Sequence, residues 1–154
     1  MQARLDFPKA APDAYQAVAA LENYVKEQSG LDHRLLHLIK LRASQINGCA
    51  YCVDMHVKEA RRDGISEQWI NLLSVWQESP IFSPRERAVL AWTEALTHVA
   101  QTRAPDADFE LLRTFFSEAE MTKLTVAIGV INVWNRLCVG FRSQHPVDAA
   151  PQVA

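Results

Sequence analysis

The chain has 154 residues and a formal net charge of −2, and 49% of its residues are apolar while 22% are charged. These values are typical of one soluble globular domain, and a near-neutral chain without a basic stripe is not expected to bind nucleic acid. The first eleven residues carry charges and lack an apolar segment, so we do not interpret them as a signal peptide.

Almost every segment has the apolar spacing of a helix, and none has the alternation of a strand. The first helix is predicted over residues 12–28, and the second from its cap at Asp32 to about residue 46. A third helix follows Asn47-Gly48, carries two cysteines and ends at Gly64.

The second half of the chain predicts four more helices. One begins at Ser66, and the next begins at the capping box of residues 83–86 and reaches about residue 101. A short helix follows Pro105, and a second capping box at residues 117–120 opens the last long helix.

These elements predict an all-α single domain, a bundle of about seven helices. We assign residues 1–11 to an N-terminal arm, residues 12–146 to the helical domain and residues 147–154 to a flexible tail. A chain with this apolar content is also expected to form a homo-oligomer, through the helices around Trp69–Trp76 and 124–141.

The apolar stretch 124–141 contains Asn132, Asn135 and Arg136. It is therefore too polar for a membrane span and predicts a buried helix, so no membrane partner is expected. Buried amide and guanidinium groups need partners, which lie either at a subunit interface or at Glu94.

The candidate site is the sequence Cys49-Ala50-Tyr51-Cys52, followed by His56. Spacings of three, four and seven residues bring both thiols and the imidazole to one side of a helix. A nearby imidazole favours the reactive thiolate, and a second thiol converts an oxidised first one into a disulfide. Cys52, one turn from His56, is the candidate nucleophile, and Cys49 is the candidate resolving thiol.

Two neighbouring residues have open interpretations. Glu59 lies on the same broad helix face and either orients His56 or is a solvated charge, as most helix-surface glutamates are. His37 on the preceding helix either faces the thiols or is an interior residue with satisfied hydrogen bonds.

Residues 35–56, with Ser-Gln-Ile-Asn-Gly directly before the CxxC-x3-H pattern, resemble the alkylhydroperoxidase D (AhpD)-like proteins of the carboxymuconolactone decarboxylase superfamily. The resemblance continues through residues 92–97 and 131–136 and covers about residues 21–142. It implies an AhpD-like helical domain that assembles into trimers or hexamers and reduces hydroperoxides through its dithiol.

The resemblance also implies residue roles. The cysteine matching Cys52 attacks the peroxide, the one matching Cys49 resolves it, and the histidine matching His56 belongs to a proton relay. A glutamate twelve residues before the first cysteine completes that relay in the family, and here the position holds His37. Tyr51 stands where the best-known members have histidine, and its role stays open.

Zinc is the main alternative for the two cysteines and His56. Structural zinc needs four ligands, and the only other thiol, Cys138, is interpreted as a small core residue of an apolar helix. We therefore predict no metal.

The sequence predicts a thiol-dependent peroxidase of the cytoplasm that needs no bound cofactor. Its partners are a hydroperoxide substrate and an external dithiol or redox protein that restores the thiols. A non-catalytic redox sensor or binding module is the alternative, and a lactone decarboxylase is a weaker one because decarboxylation does not require a dithiol.

Overall fold

The computed structural model describes residues 2–148. This range contains nine α-helices and no strand. The predicted all-α class is confirmed. The helices are α1 (Phe7–Ala10), α2 (Pro12–Asn23), α3 (His33–Ile46), α4 (Ala50–Arg62), α5 (Glu67–Leu72), α6 (Pro84–Thr97), α7 (Val99–Thr102), α8 (Asp106–Arg113) and α9 (Glu118–Phe141). A π-helical turn at Tyr24–Gln28 extends α2, and a 3-10 turn at Leu73–Val75 extends α5.

Helix α3 lies at the centre of the bundle, where it packs against α4, α6 and α9. Its side chains Leu38, Ile39 and Leu41 are completely buried. Nine of its fourteen residues are buried, so other helices must surround it on most of its circumference. The candidate cysteines therefore begin a helix, α4, that packs directly on the most buried element of the fold.

Helix α9 is long and apolar enough to cross a bilayer when only its length and composition are considered. In the fold it packs against α3, α4 and α6, and Leu124, Ile128 and Ile131 on it are buried. Asn135 is buried in the same interface. The prediction that this stretch is a buried helix is confirmed.

Both predicted capping boxes are present, at Ser83 and Ser117. The predicted fifth helix differs in its length, because α6 ends at Thr97 and α7 follows as a separate short helix. The Thr102 hydroxyl donates to the carbonyl oxygen of Ala95 at 2.6 Å and satisfies a backbone group at this break. The sequence shows no glycine or proline there, so apolar spacing alone predicts one continuous helix.

The described part of the arm, residues 2–11, packs against the end of α9 through Arg4 and Phe7. The backbone amide and the guanidinium of Arg4 donate to the carbonyl oxygens of Phe141 and Gly140, at 2.9 and 3.1 Å. The ring of Phe7 lies 6.0 Å from that of Phe141, measured between centroids. Of the tail predicted to be flexible, residues 149–154 lie outside the described residues.

Candidate functional site

The turn between α3 and α4 fixes where the first cysteine lies. Gly48 has a φ of +64°, which glycine adopts without steric cost. The amides of Gly48 and Cys49 donate to the carbonyl oxygens of Gln45 and Ser44, at 3.2 and 3.0 Å, and close a Schellman turn. Cys49 then becomes the N-cap of α4, and its Sγ accepts from the amide of Cys52 at 3.3 Å.

Cys49 and Cys52 form a disulfide, with their Cα atoms 5.3 Å apart. Each is only 1% exposed. In the reduced protein, the amide at the cap and the positive end of the helix dipole favour the anionic form of Cys49. The two thiols lie in the first turn of a helix, as the sequence predicted.

Side-chain amides from α9 hold this turn in place. The Asn47 amide donates to the Oδ1 atoms of Asn132 and Asn135, at 3.0 and 2.8 Å. Asn135 also donates to the Ser44 hydroxyl at 3.0 Å, and Arg136 donates to the Oδ1 atom of Asn132 at 2.9 Å. The buried amides of Asn132 and Asn135 therefore position the start of the cysteine helix, whereas Arg136, expected to be buried, is exposed.

Glu94, one of the two partners considered for these polar groups, is engaged elsewhere. Its carboxylate accepts from Arg42 at 2.7 Å and from the Trp76 indole at 2.6 Å. Arg136 instead caps the amide network through Asn132.

His56 lies one turn after Cys52 and is 4% exposed. Its Nδ1 atom is 2.7 Å from Oε2 of Glu59. An ionised carboxylate only accepts hydrogen bonds, so Nδ1 carries a proton, and Nε2 is the ring nitrogen left to accept or release one. The Nε2 atom is buried and has no hydrogen-bond partner among the described residues. Such an atom is suited to receive a proton from a neighbouring thiol.

The carboxylate of Glu59 is strongly stabilised in its ionised form. The hydrogen bond from His56 is the main cause, and positive charge on His56, Lys40 and Lys26 adds to it, against the opposing effect of burial. Together they lower the pKa of Glu59 from 4.5 to about 2. Of the two interpretations of Glu59, the structure supports the one in which it orients His56.

His37 is buried and pairs with a different carboxylate. Its Nε2 atom lies 2.9 Å from Oδ2 of Asp63. Burial lowers the pKa of His37, and Asp63 partly opposes that shift. His37 lines a small pocket of about 20 Å³ together with Lys40 and Glu59, and it is not among the residues that line the larger cavity.

A cavity of about 630 Å³ opens beside Cys52 and His56. Cys49 is not among the residues lining it, although its sulfur is bonded to that of Cys52. A molecule in the cavity therefore meets Cys52 rather than Cys49. The walls are mostly apolar, and their larger apolar and aromatic members are Leu5, Phe7, Pro8, Tyr15, Tyr51, Met55 and Trp134.

Cys138 of α9 also lines this cavity and is 6% exposed. Its Sγ atom and those of Cys49 and Cys52 all lie within 4.8 Å of one another. Burial raises the pKa of the Cys138 thiol, and a hydrogen bond with Ser143 opposes the shift. The interpretation of Cys138 as a core residue missed this contact, because no sequence spacing relates α9 to α4.

The family model for the carboxymuconolactone decarboxylase family matches residues 12–95. The chain is 37% identical over 139 residues to the uncharacterized protein YdfG of Bacillus subtilis, covering 90% of this chain and 94% of YdfG. It is 33% identical over 109 residues to the uncharacterized protein YnjA of Escherichia coli, covering 70% of this chain and 59% of YnjA.

Solved structures share the fold. A crystal structure from Agrobacterium tumefaciens, of a protein of unknown function proposed to be the antioxidant defence protein AhpD, is 64% identical with a TM-score of 0.93. The match covers 96% of this chain and all of that one. The debrominase Bmp8 is 22% identical with a TM-score of 0.79, over 90% of this chain and 74% of Bmp8, which shows the fold alone. The chain thus belongs to the carboxymuconolactone decarboxylase family, as one of its AhpD-like members.

Proposed function

We propose that this protein is a thiol-dependent peroxidase that reduces hydroperoxides through the Cys49–Cys52 pair. One observation carries the proposal: Cys52, in a disulfide with Cys49, shares a cavity with His56, whose buried Nε2 has no hydrogen-bond partner within residues 2–148. A nucleophile, a base and a carboxylate that orients the base form the arrangement that activates a thiol.

In the proposed cycle, His56 accepts the proton of Cys52, and the thiolate attacks the terminal oxygen of the hydroperoxide. The O–O bond breaks, the alcohol leaves with a proton, and Cys52 becomes a sulfenic acid. Cys49 then attacks the Cys52 sulfur and releases water as the disulfide forms. An external dithiol or redox protein attacks Cys52, and the cap hydrogen bond stabilises Cys49 as the leaving thiolate.

Glu59 takes the place of the relay glutamate in this proposal. The family position twelve residues before Cys49 holds His37, whose ring is engaged with Asp63. Glu59 instead supplies a negative charge at 2.7 Å from His56, from the same helix. A direct contribution of His37 to proton transfer stays a prediction.

The substrate we propose is an organic hydroperoxide. Phe7, Tyr51 and Trp134 line the cavity beside Cys52 and offer apolar surface to an alkyl or aryl group. Hydrogen peroxide has no such group, so organic hydroperoxides are expected to react with the higher kcat/KM.

The test is stopped-flow oxidation of the reduced protein by an organic hydroperoxide. We expect Cys52→Ser to abolish the fast reaction. Cys49→Ser should retain the fast reaction but can no longer form the Cys49–Cys52 disulfide. The reverse pattern would exchange the two roles. If the disulfide forms but no reductant supports turnover, the redox-sensor alternative is the correct one. Turnover of a lactone by the double cysteine variant would favour the decarboxylase.

We also propose a homo-oligomer, a trimer or hexamer, in the cytoplasm. Trp69 and Trp76 are buried within the chain, so the contact surface must come from other side chains near them. Val133 and Val139 of α9 and Val75 are 40%, 46% and 51% exposed and are candidates for it. Light scattering at micromolar concentration tests this, and the mass of a single chain would exclude it.

A further inference from the structure

We propose that Cys138 is a second disulfide partner of Cys52, able to resolve its sulfenic acid when Cys49 is not available. The resolving role rests on the proposed peroxidase function, whereas the pairing of the two thiols does not. The inference comes from a contact between α4 and α9 that the CxxC pattern does not contain.

Three sulfur atoms form this contact and lie together in one buried cluster. Cys49, Cys52 and Cys138 are each at most 6% exposed, and their Sγ atoms lie within 4.8 Å of one another. Phe7 and Tyr51 pack against this cluster and keep it apolar. A third thiol held this close can reach the Cys52 sulfur by rotation of its side chain.

Cys138 is the partner thiol that shares the cavity with Cys52. Cys52 and Cys138 both line the cavity, while Cys49 lies behind Cys52 at the helix cap. In-line displacement requires the attacking sulfur opposite the S–OH bond, so the Cys52 side chain must rotate its hydroxyl away from Cys138 before Cys138 attacks. Cys49 is the faster partner, because its thiolate is favoured by the cap amide and the helix terminus.

The step balances without a further reagent. A hydroperoxide first oxidises Cys52 to the sulfenic acid and leaves as the alcohol. The Cys138 sulfur then attacks the Cys52 sulfur, the S–OH bond breaks, and the hydroxyl leaves as water with the thiol proton. The new Cys52–Cys138 disulfide is opened by the same external dithiol, which is itself oxidised. This route protects Cys52 from irreversible oxidation to the sulfinic acid.

The pairing is tested first with diamide, which removes two hydrogens from a dithiol and needs no peroxidase activity. The variant is Cys49→Ser, because serine is a favourable N-cap and preserves the start of α4. After trypsin, Cys52 lies in the peptide 43–58 and Cys138 in the peptide 137–142. We expect these two peptides to be joined by a disulfide in oxidised Cys49→Ser and separate in Cys49→Ser/Cys138→Ser. Both thiols remaining open to alkylation, or disulfides only between chains, would overturn the proposal.

The resolving role is tested by adding an organic hydroperoxide to the same two variants. We expect Cys49→Ser to form the joined peptides with turnover slower than that of the wild type, and the double variant to lose turnover and accumulate sulfinic acid. Circular dichroism of both variants establishes that they are folded. Sulfinic acid in both would refute the resolving role. If hydroperoxide leaves Cys52 unoxidised while diamide joins the peptides, the peroxidase function fails and the pairing stands.

Discussion

Replacing Glu59 with glutamine tests the carboxylate that we assign to His56. The substitution keeps the size of the side chain and its ability to accept a hydrogen bond, but it removes the charge. When His56 takes the proton of Cys52, it becomes a cation that Glu59 stabilises at 2.7 Å. A hydrogen bond between charged groups contributes about 1–1.5 kcal/mol more than a neutral one, so we expect oxidation of Cys52 about tenfold slower.

The matched control is Glu67→Gln, which removes a carboxylate paired with Arg61 on the surface. Stopped-flow oxidation should be unchanged in this variant, because Glu67 does not line the cavity. Equal rates for the Glu59 and Glu67 variants would refute the orienting role of Glu59.

The same substitution has a consequence for stability that depends on pH. Folding lowers the pKa of Glu59 from 4.5 to about 2, which corresponds to roughly 3 kcal/mol. Because the Glu59 side chain is 29% exposed, we expect about 1–2 kcal/mol after solvent screening. A group with a depressed pKa stabilises the fold above its unfolded pKa. The wild type should therefore exceed Glu59→Gln in free energy of unfolding at pH 7, and urea titrations should show the difference disappearing from about pH 4.5 towards pH 2.

Three further substitutions test the surroundings of the site. Burial lowers the pKa of His37, so the native state should lose stability as the pH falls below 6.5. In urea titrations, His37→Gln should show a weaker dependence of the free energy of unfolding on pH. An unchanged dependence would contradict this. Asn135→Ala leaves the amide of Asn47 and the hydroxyl of Ser44 without one partner each, and we expect a loss of about 2 kcal/mol in free energy of unfolding. In Gly48→Ala, the added methyl group meets no atom within 4 Å, but alanine must adopt a φ of +64°. Chemical denaturation should therefore show a loss of about 1 kcal/mol in free energy of unfolding. The absence of a loss would mean that the turn has changed shape.

Much of the bundle could be predicted because helix signals are local. The capping boxes at Ser83 and Ser117 each lie within four residues, and both form as expected. The break after Thr97 was missed because no glycine or proline marks it, and apolar spacing does not report the hydrogen bond from the Thr102 hydroxyl to the Ala95 carbonyl that accompanies it. The short helix α1 was missed although its signals are local, because Asp6 caps it and Pro8 lies in its first turn.

In the candidate site, too, the relations between residues close in sequence could be predicted, and those that depend on packing could not. Cys49, Cys52 and His56 lie within two turns of one helix, so helical periodicity alone brings them to one side. Whether Glu59 pairs with His56 or with solvent depends on burial of the imidazole, which the packing of α4 determines.

The sequence by itself determined that this chain is helical and that a dithiol and an imidazole share one helix, because those relations span only a few residues of backbone. Only the tertiary structure decided that Asn132 and Asn135 secure the turn before Cys49, and that Cys138 comes within 4.8 Å of both other sulfurs. The physical reason is that α9 meets α4 through the packing of whole helices around a common core, and the relative rotation of two helices is not encoded in the spacing of either one.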